Sequence, residues 1–152
     1  MAGKPRQNND HISDADRLID VRSFQHQIVG EHSDALVSAR MNSIPFPAHE
    51  QCGCGLSVYA LDADAVPESA IGVEMQFTKN STAMARSMRT ILDADPLQWQ
   101  HLSAELQLPS NIAYLVIRLH ITQAFDANGK SPFNGAYVDD VTLSLRRWIS
   151  LL

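Results

Sequence analysis

Apolar and polar residues alternate with a period of two along much of this chain, the pattern of β-strands that bury one face and wet the other. Over 71–77, Ile71, Val73, Met75 and Phe77 alternate with Gly72, Glu74 and Gln76. In a second run Leu56, Val58 and Ala60 share one face, with Ser57 and Tyr59 on the other. Near the C-terminus Tyr137, Val141, Leu143 and Leu145 interleave with Thr142 and Ser144. A less regular strand spans 35–41. Short strands separated by turn residues predict an all-β fold, an antiparallel β-sandwich.

The stretch 99–121 is the most informative. Leu102, Ala104, Leu106 and Leu108 alternate inward, Pro109, Ser110, Asn111 and Ile112 interrupt, and Ala113, Leu115, Ile117, Leu119 and Ile121 alternate inward again. This pattern predicts a hairpin centred between Ser110 and Asn111. Its register sets Leu102 opposite Leu119, Ala104 opposite Ile117 and Leu106 opposite Leu115, and a slip of one residue would turn one apolar set to the wrong face. On the other face the same register pairs His101 with His120, Ser103 with Arg118 and Gln107 with Tyr114.

Elsewhere the pattern is weaker. Over 13–27, Ile12, Leu18, Ile19 and Phe24 fit a helix behind a Ser/Asp-rich start, but 18–24 fits a first strand, which is the preferred reading. The polar stretch 80–89 reads as a loop or a short helical turn. Two Asn-Gly steps and a proline make 125–135 a long loop between the last two strands. The organisation expected is an N-terminal extension or first strand over 1–34, a sandwich over 35–146 and a tail over 147–152.

The length of 152 residues with 45% hydrophobic content provides for one core and one domain. With 12 basic and 17 acidic residues the net charge is −5, so the basic footprint of a nucleic-acid binder or an anionic-membrane binder is missing, and neither partner is expected. No apolar run matches a signal peptide or a membrane helix, so the chain reads as soluble. A domain excised from a larger exported protein would also start without its signal, and its setting would then be extracellular or the cell surface. Cys52 and Cys54 are the two cysteines, and one intervening glycine makes them poor disulfide partners.

Two segments, DPLQWQHLSAELQLP over 95–109 and NGAYVDDVTLSL over 134–145, resemble the Trp–strand–Pro segment and the closing strand of galactose-binding-like jelly rolls. Many non-catalytic carbohydrate-binding modules end in this way. The resemblance covers roughly 35–146, becomes vague before Gly55, and implies a jelly roll that serves sugar binding, adhesion or plain architectural packing. It also implies a structural calcium ion, with Asp139 or Asp140 of the closing strand as ligand. Calcium takes six to eight oxygens, so backbone carbonyls and a second acid from the N-terminal part would have to join. The alternative is an Asp pair that ends a loop, accepts backbone N–H groups and binds no metal. Family position makes Trp99 a packing residue at the sandwich edge.

His49, Cys52 and Cys54 are soft-metal donors, but no second ligand pair follows, and the segment reads instead as a glycine-flanked loop or bulge entering the strand at Leu56. The polar face of the predicted hairpin is the better candidate. His101, Arg118 and His120, with Tyr59 and Glu74 nearby, offer planar donors for sugar hydroxyls, and the competing reading is an ordinary solvated sheet face. Aromatic residues make up 7%, too few for a long stacking platform. Glu74, Glu105 and Asp139 supply acids but no burial-tuned proton acceptor, and no nucleophile motif appears, so no enzyme is expected. The function expected is non-catalytic recognition of a glycan or polysaccharide by a sheet face or by rim loops including 125–135. The alternative is a structural or protein-interaction module, with a protein partner or a homo-oligomer formed through the apolar tail around Trp148. A glycan-active enzyme is the least favoured reading.

Overall fold

Eight strands realise the alternating pattern in the computed structural model, which describes residues 11–26, 28, 33–43, 51–65, 80–124 and 136–147. They are β1 (His11–Asp20), β2 (Ser33–Ser43), β3 (Gln51–Leu61), β4 (Ala83–Arg86), β5 (Thr90–Ile91), β6 (Gln100–Gln107), β7 (Tyr114–Ala124) and β8 (Ala136–Arg147). A five-stranded sheet has the order β1-β7-β3-β4, with β5 also on β3, and a three-stranded sheet has the order β6-β2-β8. All pairings are antiparallel. The two sheets pack as a β-sandwich around one core that takes Val37, Ala39 and Met41 from β2, Leu56 and Val58 from β3, Leu102 and Leu106 from β6, and Leu115 and Ile117 from β7.

The inward residues of β6 and β7 are those the alternation predicts, but the two strands do not form a hairpin. β6 pairs with β2, whereas β7 lies between β1 and β3. The link between them crosses from sheet to sheet. Leu108 N–H bonds to Ser33 O at 2.8 Å on one side, and Ala113 N–H bonds to Leu61 O at 2.8 Å on the other. Leu108 and Ile112 are both buried along this crossing. The apolar sets therefore meet face to face across the core.

Four further local differences have physical reasons. A first strand does form near the N-terminus, but as β1 over His11–Asp20 and not over 18–24, and the chain then turns into a short 3₁₀ segment at Arg22–Phe24. Cys52 and Cys54 lie within β3, both buried on the core face, because Gly53 and Gly55 alternate with them on the other face. Within the polar stretch 80–89, β4 forms because Ala83 and Ala85 alternate inward, side chains too small to mark a strand by hydropathy. In β8 the alternation breaks, because Ser38 pairs with Thr142 but Arg40 pairs with Asp139, leaving Asp140 and Val141 opposite Ala39. This β-bulge resets the parity, so Val138 shares the side of its partner Met41 yet stays 40% exposed, and Tyr137, on the opposite side beside Asn42, is 60% exposed.

The predicted strand over 71–77, the loop 125–135, His49 and Trp148 lie outside the described residues. Among the described residues no helix is long and apolar enough to cross a membrane.

Candidate functional site

The sheet arrangement separates the residues that the hairpin register brought together. His101 is on β6, whereas Tyr59, Arg118 and His120 share the outer face of the five-stranded sheet, and Glu74 lies outside the described residues. On that outer face β3 and β7 are buried on both sides, with Ser57, Tyr59, Val116 and Arg118 all covered. Arg118 makes a bidentate pair with Asp16, its partner on β1, through Nε to Oδ1 and Nη2 to Oδ2, each 2.6 Å. The hydrogen bonds to Asp16 outweigh burial and raise the Arg118 pKa above its ordinary value, so the guanidinium stays charged. His120 lies across Gly55, where any Cβ would meet its ring. The predicted neighbours His101 and His120 thus stand in different sheets, and Arg118 and Tyr59 are part of the scaffold. A polar residue on a central strand reads as wet from sequence, yet here the second face is closed.

A different set converges on the outer face of the three-stranded sheet. His101, Arg40 and Asp139 form one row across β6, β2 and β8, and Ser103, Ser38 and Thr142 form the next. Ser38 and Thr142 join their hydroxyls at 2.7 Å. The Arg40 guanidinium sits 5.6 Å from the centre of the Trp99 ring, within cation–π reach, and donates to Asp140 Oδ2 at 3.4 Å. Trp99, which immediately precedes β6, is 38% exposed, and Tyr137 across the sheet on β8 is 60% exposed. Between their strands lies β2, so the two aromatics stand about 10 Å apart in backbone terms, twice the strand spacing. Beneath them the Asn42 amide donates to Pro96 O, which ties the loop before β6 to the sheet. Sequence reasoning missed Arg40 and Tyr137 and made Trp99 a packing residue. One signal was present, since a period of two sets Trp99 on the same face as His101 and Ser103.

Asp139 and Asp140 belong to the bulge. Asp140 takes a positive φ of 50°, the conformation usually left to glycine, and its N–H donates to Asp139 Oδ1 at 2.8 Å. One carboxylate thus caps a backbone N–H and the other lies against the Arg40 guanidinium. Among the described residues no group of three or more His, Cys, Asp and Glu side chains is placed to hold a metal ion. Burial, with the neighbouring Cys52 adding to it, pushes the Cys54 thiol up to about 11, so it stays a protonated core group at neutral pH.

No protein-family model matches the chain, and no curated protein matches it.

Proposed function

We propose that the outer face of the three-stranded sheet binds a glycan without transforming it, as a carbohydrate-binding module of galactose-binding-like, jelly-roll type would. The observation that carries this reading is the exposed pair Trp99 and Tyr137 beside Arg40, His101, Ser38 and Thr142. Aromatic faces cover the apolar face of a pyranose, and planar or hydroxyl donors take its ring hydroxyls. Arg40 is already oriented by Trp99 and Asp140, which lowers the entropy lost on binding.

The test is a glycan and polysaccharide binding screen, run in calcium and again in EDTA, with a melting curve on each sample. Binding to one sugar class is expected, with Trp99→Ala and Arg40→Ala each reducing affinity at least tenfold while the melting temperature moves little. Equal binding in EDTA is expected from the contacts of Asp139 and Asp140. A face that binds no sugar, or a Trp99→Ala variant that binds normally, overturns the reading, and product formed from a polysaccharide would make it an enzyme. A second reading, a protein-interaction module, is favoured by one observation: Tyr137, Val138 and Val141 are exposed apolar residues on the strand that is outermost in its sheet among the described residues.

A further inference from the structure

Resting on the reading of this face as a glycan site, we propose that Asp140 is its specificity-determining residue: its carboxylate occupies Arg40, so the face takes uncharged sugars and refuses uronic acids. An exposed arginine beside an aromatic ring would by itself suit an acidic sugar, because a guanidinium pairs bidentately with carboxylates. Here that charge is already answered. Asp140 Oδ2 lies 3.4 Å from Arg40 Nη1, and Asp139 is the cross-strand partner of Arg40. Both side chains of the Arg40–Asp140 pair are exposed, so the pair stands where a ligand would meet it.

The bulge is what sets two acids on one arginine. Continuing the register of Ser38 with Thr142 would bring Arg40 opposite Asp140 alone. The extra residue moves Asp139 into that place and takes Asp140 out of the ladder, with its carboxylate still on the same guanidinium. At a φ of 50° glycine would be the unstrained choice, but it would bring no charge to Arg40. Strain kept at a ligand-facing position points to a use for the side chain. The rest of the face has the same sign. Among its described residues Asp34, Glu105, Asp139 and Asp140 stand against Arg40 and Arg146, four acids to two bases, or −2 with histidine neutral. An anionic glycan would meet this repulsion and would have to displace Asp140 from Arg40. A neutral one does neither, because a guanidinium has five N–H donors and Asp140 takes one of them, which leaves donors for sugar hydroxyls.

Isothermal titration calorimetry of the full chain tests this, with galactomannan, xyloglucan and pullulan as neutral polymers and polygalacturonate and alginate as polyanions, at low and at physiological salt. Wild type is expected to bind a neutral polymer and neither polyanion. Asp140→Asn keeps the shape, the hydrogen-bond acceptor and the tolerance of positive φ but not the charge, and its melting temperature should match wild type. It is expected to hold the neutral affinity within about threefold and to raise polyanion affinity about tenfold or more, a gain that shrinks as salt rises. Glu105→Gln removes the same charge opposite Leu36, four residues from Arg40 and roughly 13 Å along the strands, and is expected to bring no gain. A wild type that binds a polyanion as tightly as any neutral polymer overturns the proposal and leaves the glycan reading standing. So does an Asp140→Asn variant without the gain, or a gain shared by Glu105→Gln. A wild type that binds none of the polymers overturns both.

Discussion

Replacing Asp16 by asparagine removes the charge that neutralises the most buried cation of the described structure while leaving shape and strand pairing in place. Arg118 is 3% exposed at its side chain and Asp16 is 23% exposed, joined by two hydrogen bonds of 2.6 Å. Breaking a fully buried pair by removing one partner costs about 3–5 kcal/mol, and the partial exposure of Asp16 sets the expectation lower, at about 2–3 kcal/mol. Asp14, the next acid on the same face of β1, is a further negative neighbour of Arg118 and does not replace a bidentate contact. For a chain of this length the loss corresponds to a fall of roughly 5–10 °C in melting temperature. The assay is equilibrium urea unfolding followed by circular dichroism, with an unchanged m-value required for the comparison. Arg118→Met is expected to cost less than Asp16→Asn, because water reaches the stranded aspartate more easily than the stranded guanidinium. Asp16→Leu combined with Arg118→Met should recover most of the loss, since an apolar pair of similar volume avoids the desolvation of two charges. An Asp16→Asn variant within about 0.5 kcal/mol of wild type would refute the reasoning, as would an Arg118→Met variant that is the more damaging of the two.

Three other expectations follow from local geometry. Gly55→Ala places a methyl group against the His120 imidazole and is expected to cost about 1–3 kcal/mol in urea unfolding, whereas a harmless substitution would show that the ring moves aside freely. At the bulge, Asp140→Gly should leave stability equal or higher and Asp140→Val should lower it by about 1–3 kcal/mol, because a β-branched residue is strained at positive φ; thermal melts decide, and equal melts refute the assignment. In pH titration of stability, Arg22 holds the Asp20 carboxyl down to about 2, so its stabilising share is complete above its ordinary range near 4 and is lost as pH falls towards 2. At the alkaline end the raised Cys54 thiol acts oppositely: from about 9 to 11 the unfolded chain gives up a proton that the folded one keeps, so stability falls as pH rises. Asp20→Asn and Cys54→Ala should flatten their respective slopes, and Cys54 should resist alkylation until the chain is unfolded.

Which side of a strand faces the core is a local property, and the sequence alone determined it for β3, β6 and β7. Leu56, Val58, Leu102, Leu106, Leu115 and Ile117 are inward as the period of two requires. What each strand pairs with was decided only by tertiary structure. Facing apolar sets are satisfied equally by neighbours about 4.8 Å apart in one sheet or by layers about 10 Å apart across a sandwich, so the β6 and β7 pattern fitted a hairpin that does not form. The candidate site followed the same division. His101 and Trp99 share a face through local alternation, but Arg40 and Tyr137 join them only because β2 runs between β6 and β8 and because one extra residue at Asp140 reverses the parity of the last strand. Arg118 and Tyr59 look like wet positions for as long as one face of each sheet is assumed to meet water. The fold buries both faces of β3 and β7, and a buried arginine with its carboxylate then serves the scaffold.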